Sequence, residues 1–304
     1  MKKVKIKRKK HRRSQGLLFF FILSLFSFLL ACSRNAPPPA SPVAPLPPAA
    51  DAGGTAGMVR IPGGTFMMGC VEGDAQCAPD EKPAHRVTVN PFWMDEHPVT
   101  AAEYAPCVRA KVCPPEKVSD DATWGRFYNG GKPDRANHPL NGMDWGVADD
   151  YCRWRGKRLP TEAEYEFAMR GGSAGNKYPW GNSETPPPGF GNYADESVKR
   201  LFADWKVFAG YDDGYAGTSP VCTFAKNPYG LCDISGNLWE WCADWYDPNY
   251  YQSSPSDNPK GPETGTERVL RGGSWDTNPA RDRSSCRAGP GYWVIYVGFR
   301  CARD

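Results

Sequence analysis

The sequence contains few of the patterns that mark common catalytic or binding sites. It has no G-x-G-x-x-G and no P-loop pattern, so nothing indicates a nucleotide site. It also has no Cys-x-x-C and no His-Glu-x-x-His, so neither a zinc-binding module nor a zinc protease is predicted. Histidine is scarce, and only His85, His97 and His138 follow the N-terminal segment. A histidine-based iron or zinc site would need the fold to bring these residues together.

Outside residues 1–13, the chain has no excess of positive charge. The formal net charge is +3, but residues 1–13 hold nine of the 37 Lys and Arg residues and no acidic residue. The rest of the chain therefore carries 28 basic against 34 acidic side chains. Proteins that bind nucleic acid present basic patches to the phosphates, so this acidic body predicts no nucleic-acid partner.

Glycine and proline, in contrast, are abundant, with 32 and 30 residues out of 304. Together they exceed their usual share of about 12% of a protein, which favours loops over regular elements. The 11 Trp residues still supply enough aromatic area for a sizeable core. The composition predicts a loop-rich globular protein.

The N-terminus has the layout of an export signal. Basic residues 1–13 precede the apolar run 17–31, which is short for a spanning helix of about 20 residues. The run ends in Leu-Leu-Ala-Cys at residues 29–32, which resembles a bacterial lipobox. The resemblance implies a signal peptide over residues 1–31 and lipid attached to Cys32, which anchors the protein to a membrane. An uncleaved N-terminal anchor is the alternative, and both place the body outside the cytoplasm, facing the periplasm or the cell exterior.

A Pro- and Ala-rich segment follows the predicted lipid site. Residues 33–57 contain seven prolines and almost no large apolar side chain, so they cannot bury a core. We expect residues 32–57 to be a lipidated tether that extends by about 3 Å per residue where it is polyproline-like. Residues 58–304 are then the folded domain, with no second linker of this kind.

The cysteines predict disulfides. Ten follow Cys32, and an even number in an exported chain is typical of a disulfide framework. Two pairs are close enough in sequence to close small loops, and the remaining residues need the fold to decide; several free buried thiols are the alternative. The two local pairs are Cys70 with Cys77 and Cys107 with Cys113.

Three helices and three strands can be placed. Thr100 and Thr161 each precede a glutamate by three residues, which is the pattern of a capping box. Asp144 precedes a third helix with apolar residues at spacings of three and four. Strands are predicted at residues 86–89, 268–271 and 297–301.

Several longer motifs occur in an order typical of one family. By these motifs the chain resembles the sulfatase-modifying-factor family, whose domain is that of the formylglycine-generating enzyme. The resemblance implies an α+β fold of the elaborated C-type-lectin-like kind, with little regular secondary structure. The motifs are residues 58–69 (MVRIPGGTFMMG), 80–85 (DEKPAH), 99–100 (VT), 151–164 (YCRWRGKRLPTEAE), 236–241 (GNLWEW), 271–275 (RGGSW) and 298–301 (GFRC).

The resemblance does not extend to the family's reaction. Members that make formylglycine bind copper(I) through two cysteines shortly after the Gly-Gly-Ser segment. Here the first of these positions falls on Thr277 and the second on Arg281 or Asp282, depending on a one-residue gap. A hydroxyl, guanidinium or carboxylate is a poor ligand for a soft monovalent metal, so copper is not expected.

The same matching implies further disulfides. Cys152 and Cys301 occupy positions that are bonded in the family. For the four cysteines left over we expect Cys222–Cys232 and Cys242–Cys286, although Cys286 also matches a family cysteine whose partner falls at Met169.

The resemblance also implies two calcium sites. Calcium prefers six to eight hard oxygen ligands, and the Tyr, Gly and Leu residues of these sets would contribute carbonyl oxygens. Without the resemblance, the same Asp, Asn and Gly residues indicate only turns. The first set is Asn192, Tyr193, Asp213 and Tyr215, and the second is Asp233, Gly236, Leu238 and Glu240.

These features together predict a lipid-anchored envelope protein that binds or scaffolds a protein or glycan partner without making formylglycine. An oxidase using other residues, a non-haem iron enzyme and a lectin-like glycan binder are the alternatives. Aromatic and Arg side chains near the former catalytic segment could anchor a partner, or they could be core aromatics and solvated charges. The residues of this predicted surface are Arg281, Asp282, Arg283, Arg287, Tyr292, Trp293 and Tyr296.

Overall fold

Short strands and helices separated by long irregular stretches form an α+β structure. The computed structural model describes residues 54–172, 175–289, 291 and 294–304. The predicted signal peptide, Cys32, Tyr292 and Trp293 lie outside the described residues. No helix in the described part of the chain is both long enough and apolar enough to cross a bilayer.

The strands form three small sheets. Strands β1, β4 and β8 pair antiparallel in the order β1-β4-β8, and β2 pairs with β3. In the third sheet, β5 lies between antiparallel β6 and parallel β7. The strands are β1 Met58–Ile61, β2 Gly64–Met68, β3 His85–Val89, β4 Phe92–Asp95, β5 Trp239–Trp245, β6 Arg268–Arg271, β7 Val297–Gly298 and β8 Ala302–Arg303.

The three predicted helices are present. Helices α1 (Ala101–Arg109) and α3 (Glu162–Arg170) both begin with the predicted capping box. Helix α3 ends at Gly171, whose φ of 58° is the left-handed conformation that glycine adopts easily. Helix α2 (Trp145–Trp154) follows Asp144, whose side chain makes no capping hydrogen bond. A fourth helix, α4 (Glu196–Lys199), has only four residues and was not predicted.

The predicted strand at residues 297–301 is interrupted. In this segment β7 and β8 are separate short strands, because the three residues between them bond to separate parts of the fold. The Phe299 carbonyl accepts a hydrogen bond from Val99, Arg300 pairs with Glu240, and Cys301 forms a disulfide. Tertiary contacts therefore override the local strand preference here.

Four disulfides hold the described chain, namely Cys70–Cys77, Cys107–Cys113, Cys152–Cys301 and Cys222–Cys232. We also expected a disulfide between Cys242 and Cys286. This prediction is wrong, because both residues are free, buried thiols. They lie in different hydrophobic clusters. Cys242 packs with Met169 and Val269, whereas Cys286 packs with Trp275 and Ile295.

Candidate functional site

The segment in which the resemblance places the copper ligands, residues 272–287, is a closed loop that follows β6. The backbones of Leu270 and Ala288 exchange hydrogen bonds of 2.9 and 3.0 Å, which brings the two ends of the loop together. Arg271 donates to the carbonyl oxygens of residues 284, 285 and 286 from the loop interior. Its own charge is balanced by Glu166 of α3, so a buried ion pair fixes the loop to the core.

The positions expected for the copper ligands carry oxygen or nitrogen groups. The Thr277 hydroxyl is buried, accepts a 2.9 Å hydrogen bond from the Ser274 amide and lies 2.8 Å from the Ser274 hydroxyl. Asp282 is 0% exposed, whereas Arg281 faces solvent. Whichever residue fills the second position, this loop offers no thiolate pair.

The two free thiols do not substitute for that pair. Burial, with the nearby charge of Glu81, raises the pKa of Cys286 to about 11, and burial raises that of Cys242 well above its usual value. A buried cysteine with a raised pKa stays a thiol near neutral pH, and the thiolate is the form that binds metal or attacks as a nucleophile. Neither thiol is therefore poised for this chemistry.

The predicted partner surface is largely internal. Arg283 and Arg287 are 3% and 2% exposed and form ion pairs with Glu81 and Glu162 respectively. Asp282 and Tyr296 are also buried. These four residues cannot act as exposed anchors, which corrects the expectation. Arg283 and Arg287 instead line part of an open cavity of about 680 Å³, together with Arg281, Tyr246 and Asp80.

The fold brings Tyr193 and Tyr215 of the first calcium set to the Asp213 carboxylate. The Asp213 carboxylate accepts hydrogen bonds from the backbone amides of Tyr193 (2.9 Å) and Tyr215 (2.8 Å). Asn192 donates from its side-chain nitrogen to the Gly217 carbonyl, but its buried Oδ1 atom accepts no hydrogen bond. A buried acceptor without a donor is costly unless a cation or water satisfies it.

A second carboxylate, which the sequence analysis missed, lies beside Asp213. Asp195 caps α4 and accepts a hydrogen bond from the Asp213 backbone amide. Burial and the Asp195 charge raise the pKa of Asp213 to about 8. The buried Asp195 carboxyl group, the partly buried Asp213 carboxyl group and the unpartnered Asn192 amide oxygen are hard ligands that fit Ca²⁺. A bound cation would relieve the repulsion between the two acids.

In the second calcium set, one of the two carboxylates is already paired with an arginine. Both Glu240 oxygens accept hydrogen bonds from Arg300, at 2.8 Å each, in a fully buried ion pair. Asp233 makes no such pair within the described residues, and its Oδ2 atom accepts a 2.8 Å hydrogen bond from the Cys222 amide. Because Arg300 already neutralises Glu240, this set fits a divalent cation less well than the first.

The histidines are not assembled into a site. His138 is buried and lies 3.0 Å from the Thr218 hydroxyl, and burial lowers its pKa to about 4. Among the described residues, one group brings three His, Cys, Asp or Glu ligand atoms within 4.8 Å of each other, namely Glu96, Cys222 and Cys232. Its two cysteines form a disulfide, so they offer no thiolate.

The comparisons with known proteins match the motifs and the fold. Residues 43–304 match the family of the sulfatase-modifying factor enzyme 1-like domain. The chain belongs to this sulfatase-modifying-factor family. A formylglycine-generating enzyme from Streptomyces coelicolor is 38% identical, over 88% of this chain and 96% of its own length. The "Inactive C-alpha-formylglycine-generating enzyme 2" of Bos taurus is 35% identical, over 82% and 89%.

A solved structure has the same fold. PvdO from Pseudomonas aeruginosa superimposes with a TM-score of 0.65 at 30% identity, covering 81% of this chain and 94% of its own. Relatives named as active and as inactive match this sulfatase-modifying-factor chain at similar identity. Family membership therefore gives the fold, and the residues of the 272–287 loop must decide the chemistry.

Proposed function

We propose that this protein is a lipid-anchored binding or scaffolding module of the bacterial cell envelope and does not generate formylglycine. The observation that carries the proposal is the composition of the 272–287 loop. Thr277 and either Arg281 or Asp282 stand where the resemblance places the copper ligands. None of these groups is a soft ligand, and the two described free thiols are buried with raised pKa values.

Location outside the cytoplasm is supported by the four disulfides, which persist in oxidising compartments. The sequence of residues 1–31 and the lipobox at Cys32 support export followed by lipid attachment. The partner is then a protein or glycan in the envelope, reached by a domain held near the membrane.

The absence of formylglycine synthesis is tested directly with peptide. Copper-loaded protein is incubated with oxygen and a sulfatase-type peptide, Cys-x-Pro-x-Arg, and the peptide mass is followed. We expect no mass change, whereas the Streptomyces coelicolor relative serves as the positive control. Aldehyde formation by this protein that is lost in the Cys286→Ser variant would overturn the proposal.

A matched pair of variants tests the reason for the inactivity. Thr277→Cys combined with Asp282→Cys, and Thr277→Cys combined with Arg281→Cys, each restore two thiols to the loop. We expect one of the two double variants to bind copper(I) with one-to-one stoichiometry, and the unmodified protein to bind none. Equal copper binding by all three proteins would show that the loop positions are not the relevant ones.

We also propose that calcium stabilises the domain at the site formed by Asn192, Asp195 and Asp213. A ligand that binds the folded state alone adds about 2.7 kcal/mol at a concentration of one hundred times Kd. Chelation should therefore lower the melting temperature, and Asp213→Asn should remove most of this response. Asp134→Asn, with a side chain that is 80% exposed, is the control that should respond as the unmodified protein does.

The calcium proposal would be contradicted by two results together. The purified protein would contain no calcium, and its melting curve would be the same with and without chelator. A chelator response that persists in Asp213→Asn and disappears in Asp233→Asn would move the site to the second set. Glycan binding on an array, or stoichiometric iron in the purified protein, would favour the alternative functions instead.

A further inference from the structure

The carboxyl group of Asp282 has an environment that the functions proposed above do not explain. The residue is 0% exposed, and neither of its side-chain oxygens has a hydrogen-bond partner. It is packed closely against Gly273, since a Cβ atom at that glycine would lie 2.0 Å from Asp282 Oδ1. A buried carboxyl group with both oxygens unsatisfied is rare and requires a compensating ligand or a proton.

A cluster of oxygen atoms lies on the same turn as Gly273. The Ser274 hydroxyl hydrogen-bonds the Asp276 carboxylate and lies 2.8 Å from the Thr277 hydroxyl. Gly273, against which Asp282 Oδ1 packs, directly precedes Ser274, so the buried carboxyl group lies beside this cluster. Asp276 is also partly exposed, which gives the cluster a route to solvent.

The neighbouring cation does not neutralise both acids. The Arg281 side chain faces solvent, and its guanidinium carbon lies 5.8 Å from the centre of the Trp239 ring. Within the described residues, neither Asp276 nor Asp282 forms a salt bridge within 4.0 Å.

We propose that Asp276 and Asp282, with the hydroxyl of Ser274, bind a divalent cation of the hard, oxygen-preferring type. The donor set contains only carboxylate and hydroxyl oxygens, which suit Mg²⁺, Ca²⁺ or Mn²⁺ and discriminate against soft metals. The unpartnered Asp282 oxygens supply buried ligands, and Asp276 supplies a ligand at the rim through which the ion enters. The Ser284 hydroxyl, which is also buried without a partner, lies two residues from Asp282.

This site is separate from the calcium site proposed above, which uses Asn192, Asp195 and Asp213. The test therefore uses the full-length chain carrying Asp213→Asn, in which the calcium site is disabled. Cation binding in this variant then reports on the Asp276–Asp282 site alone, and either proposal can fail without the other. The probe is Tb³⁺, a hard cation whose luminescence is sensitised by a nearby indole, here that of buried Trp275. Competition with Mg²⁺, Ca²⁺ and Mn²⁺ then identifies the preferred ion.

We expect Tb³⁺ to bind with one-to-one stoichiometry in the Asp213→Asn background. Adding Asp276→Asn or Asp282→Asn should weaken binding at least tenfold, whereas adding Asp134→Asn should leave it unchanged. Because Asp282 is in the core, its variant is checked for folding by near-ultraviolet circular dichroism. The Asp276→Asn variant at the rim keeps the test valid if Asp282→Asn does not fold.

Two results would overturn the proposal. One is saturable Tb³⁺ binding that is the same in Asp276→Asn and in the control. The other is no binding in the Asp213→Asn background, together with an infrared carbonyl band of a protonated acid that disappears in Asp282→Asn. The second result would mean that a proton, and not a metal ion, satisfies the buried carboxyl group.

Discussion

At the scale of single residues, the interior is organised by pairs of opposite charge. Arg271, Arg287 and Arg300 are almost fully buried, and each faces a glutamate. Such pairs offset the cost of removing two charges from water only when hydrogen bonds satisfy both partners. Asp244 is different, since no salt bridge to it occurs within the described residues and it receives one hydrogen bond, from the Glu162 amide.

Asp244 predicts a pH dependence of stability. Burial and the charge of Glu162 raise its pKa from 3.8 to about 8, although Arg287 opposes this shift. The folded state then holds a proton that the unfolded chain releases, so the contribution of Asp244 to the free energy of unfolding falls as pH rises from about 4 to about 8. The slope for one proton is at most about 1.4 kcal/mol per pH unit.

The measurement compares urea unfolding of the protein and of Asp244→Asn between pH 4 and pH 8. Asparagine stays neutral and keeps an oxygen for the Glu162 amide, so the variant should gain stability relative to the original protein as pH rises. Parallel pH profiles for the two proteins would show that Asp244 is ionised in the folded state.

At the scale of elements, the disulfides join parts of the chain that differ greatly in sequence separation. Cys152–Cys301 links α2 to the segment before β8 across a separation of 149 residues. Cys107–Cys113 joins the last turn of α1 to the segment that follows it, across a separation of only 6. A bond that closes a longer loop removes more freedom from the unfolded chain and therefore stabilises the fold more.

We therefore predict unequal losses when these disulfides are removed. Chain entropy suggests about 5 kcal/mol for replacing Cys152 and Cys301 by Ala, against about 2 kcal/mol for Cys107 and Cys113. Denaturant unfolding of the two double variants measures the difference. Equal losses would indicate that native packing, and not loop closure, sets the contribution of each bond.

At the scale of the whole molecule, an acidic domain follows a segment with seven prolines, residues 33–57. Residues 33–57 would span about 75 Å if they were extended at about 3 Å per residue. A lipid anchor at Cys32 would hold the domain near a membrane and still let it reach a partner at some distance. Under the lipidation proposal, the anchor would determine where the domain acts.

Lipidation gives a prediction that can be checked in cells. Changing Cys32→Ala should leave the precursor unprocessed and abolish incorporation of labelled fatty acid, because the thiol is the site of attachment. The Cys242→Ala variant, which removes a buried thiol, should be labelled as the original protein is. Equal labelling of Cys32→Ala would reject the lipobox interpretation.

Features that depend on a few neighbouring residues could be predicted from the sequence. The capping boxes at Thr100 and Thr161 are complete within four residues, and the structure has both helices. The disulfides Cys70–Cys77 and Cys107–Cys113 follow from short spacing. Longer motifs in a fixed order gave the family and the α+β fold, because several matches in order are very specific.

Features that depend on long-range packing were decided only by the tertiary structure. Asp195 and Asp213 meet because the chain returns after α4, and Arg300 reaches Glu240 from 60 residues away. Cys242 and Cys286 stay apart because they pack in separate clusters, although counting left them as a pair. Which residues contact each other at such sequence separations depends on which surfaces the core buries together. No local pattern in the sequence carries that information.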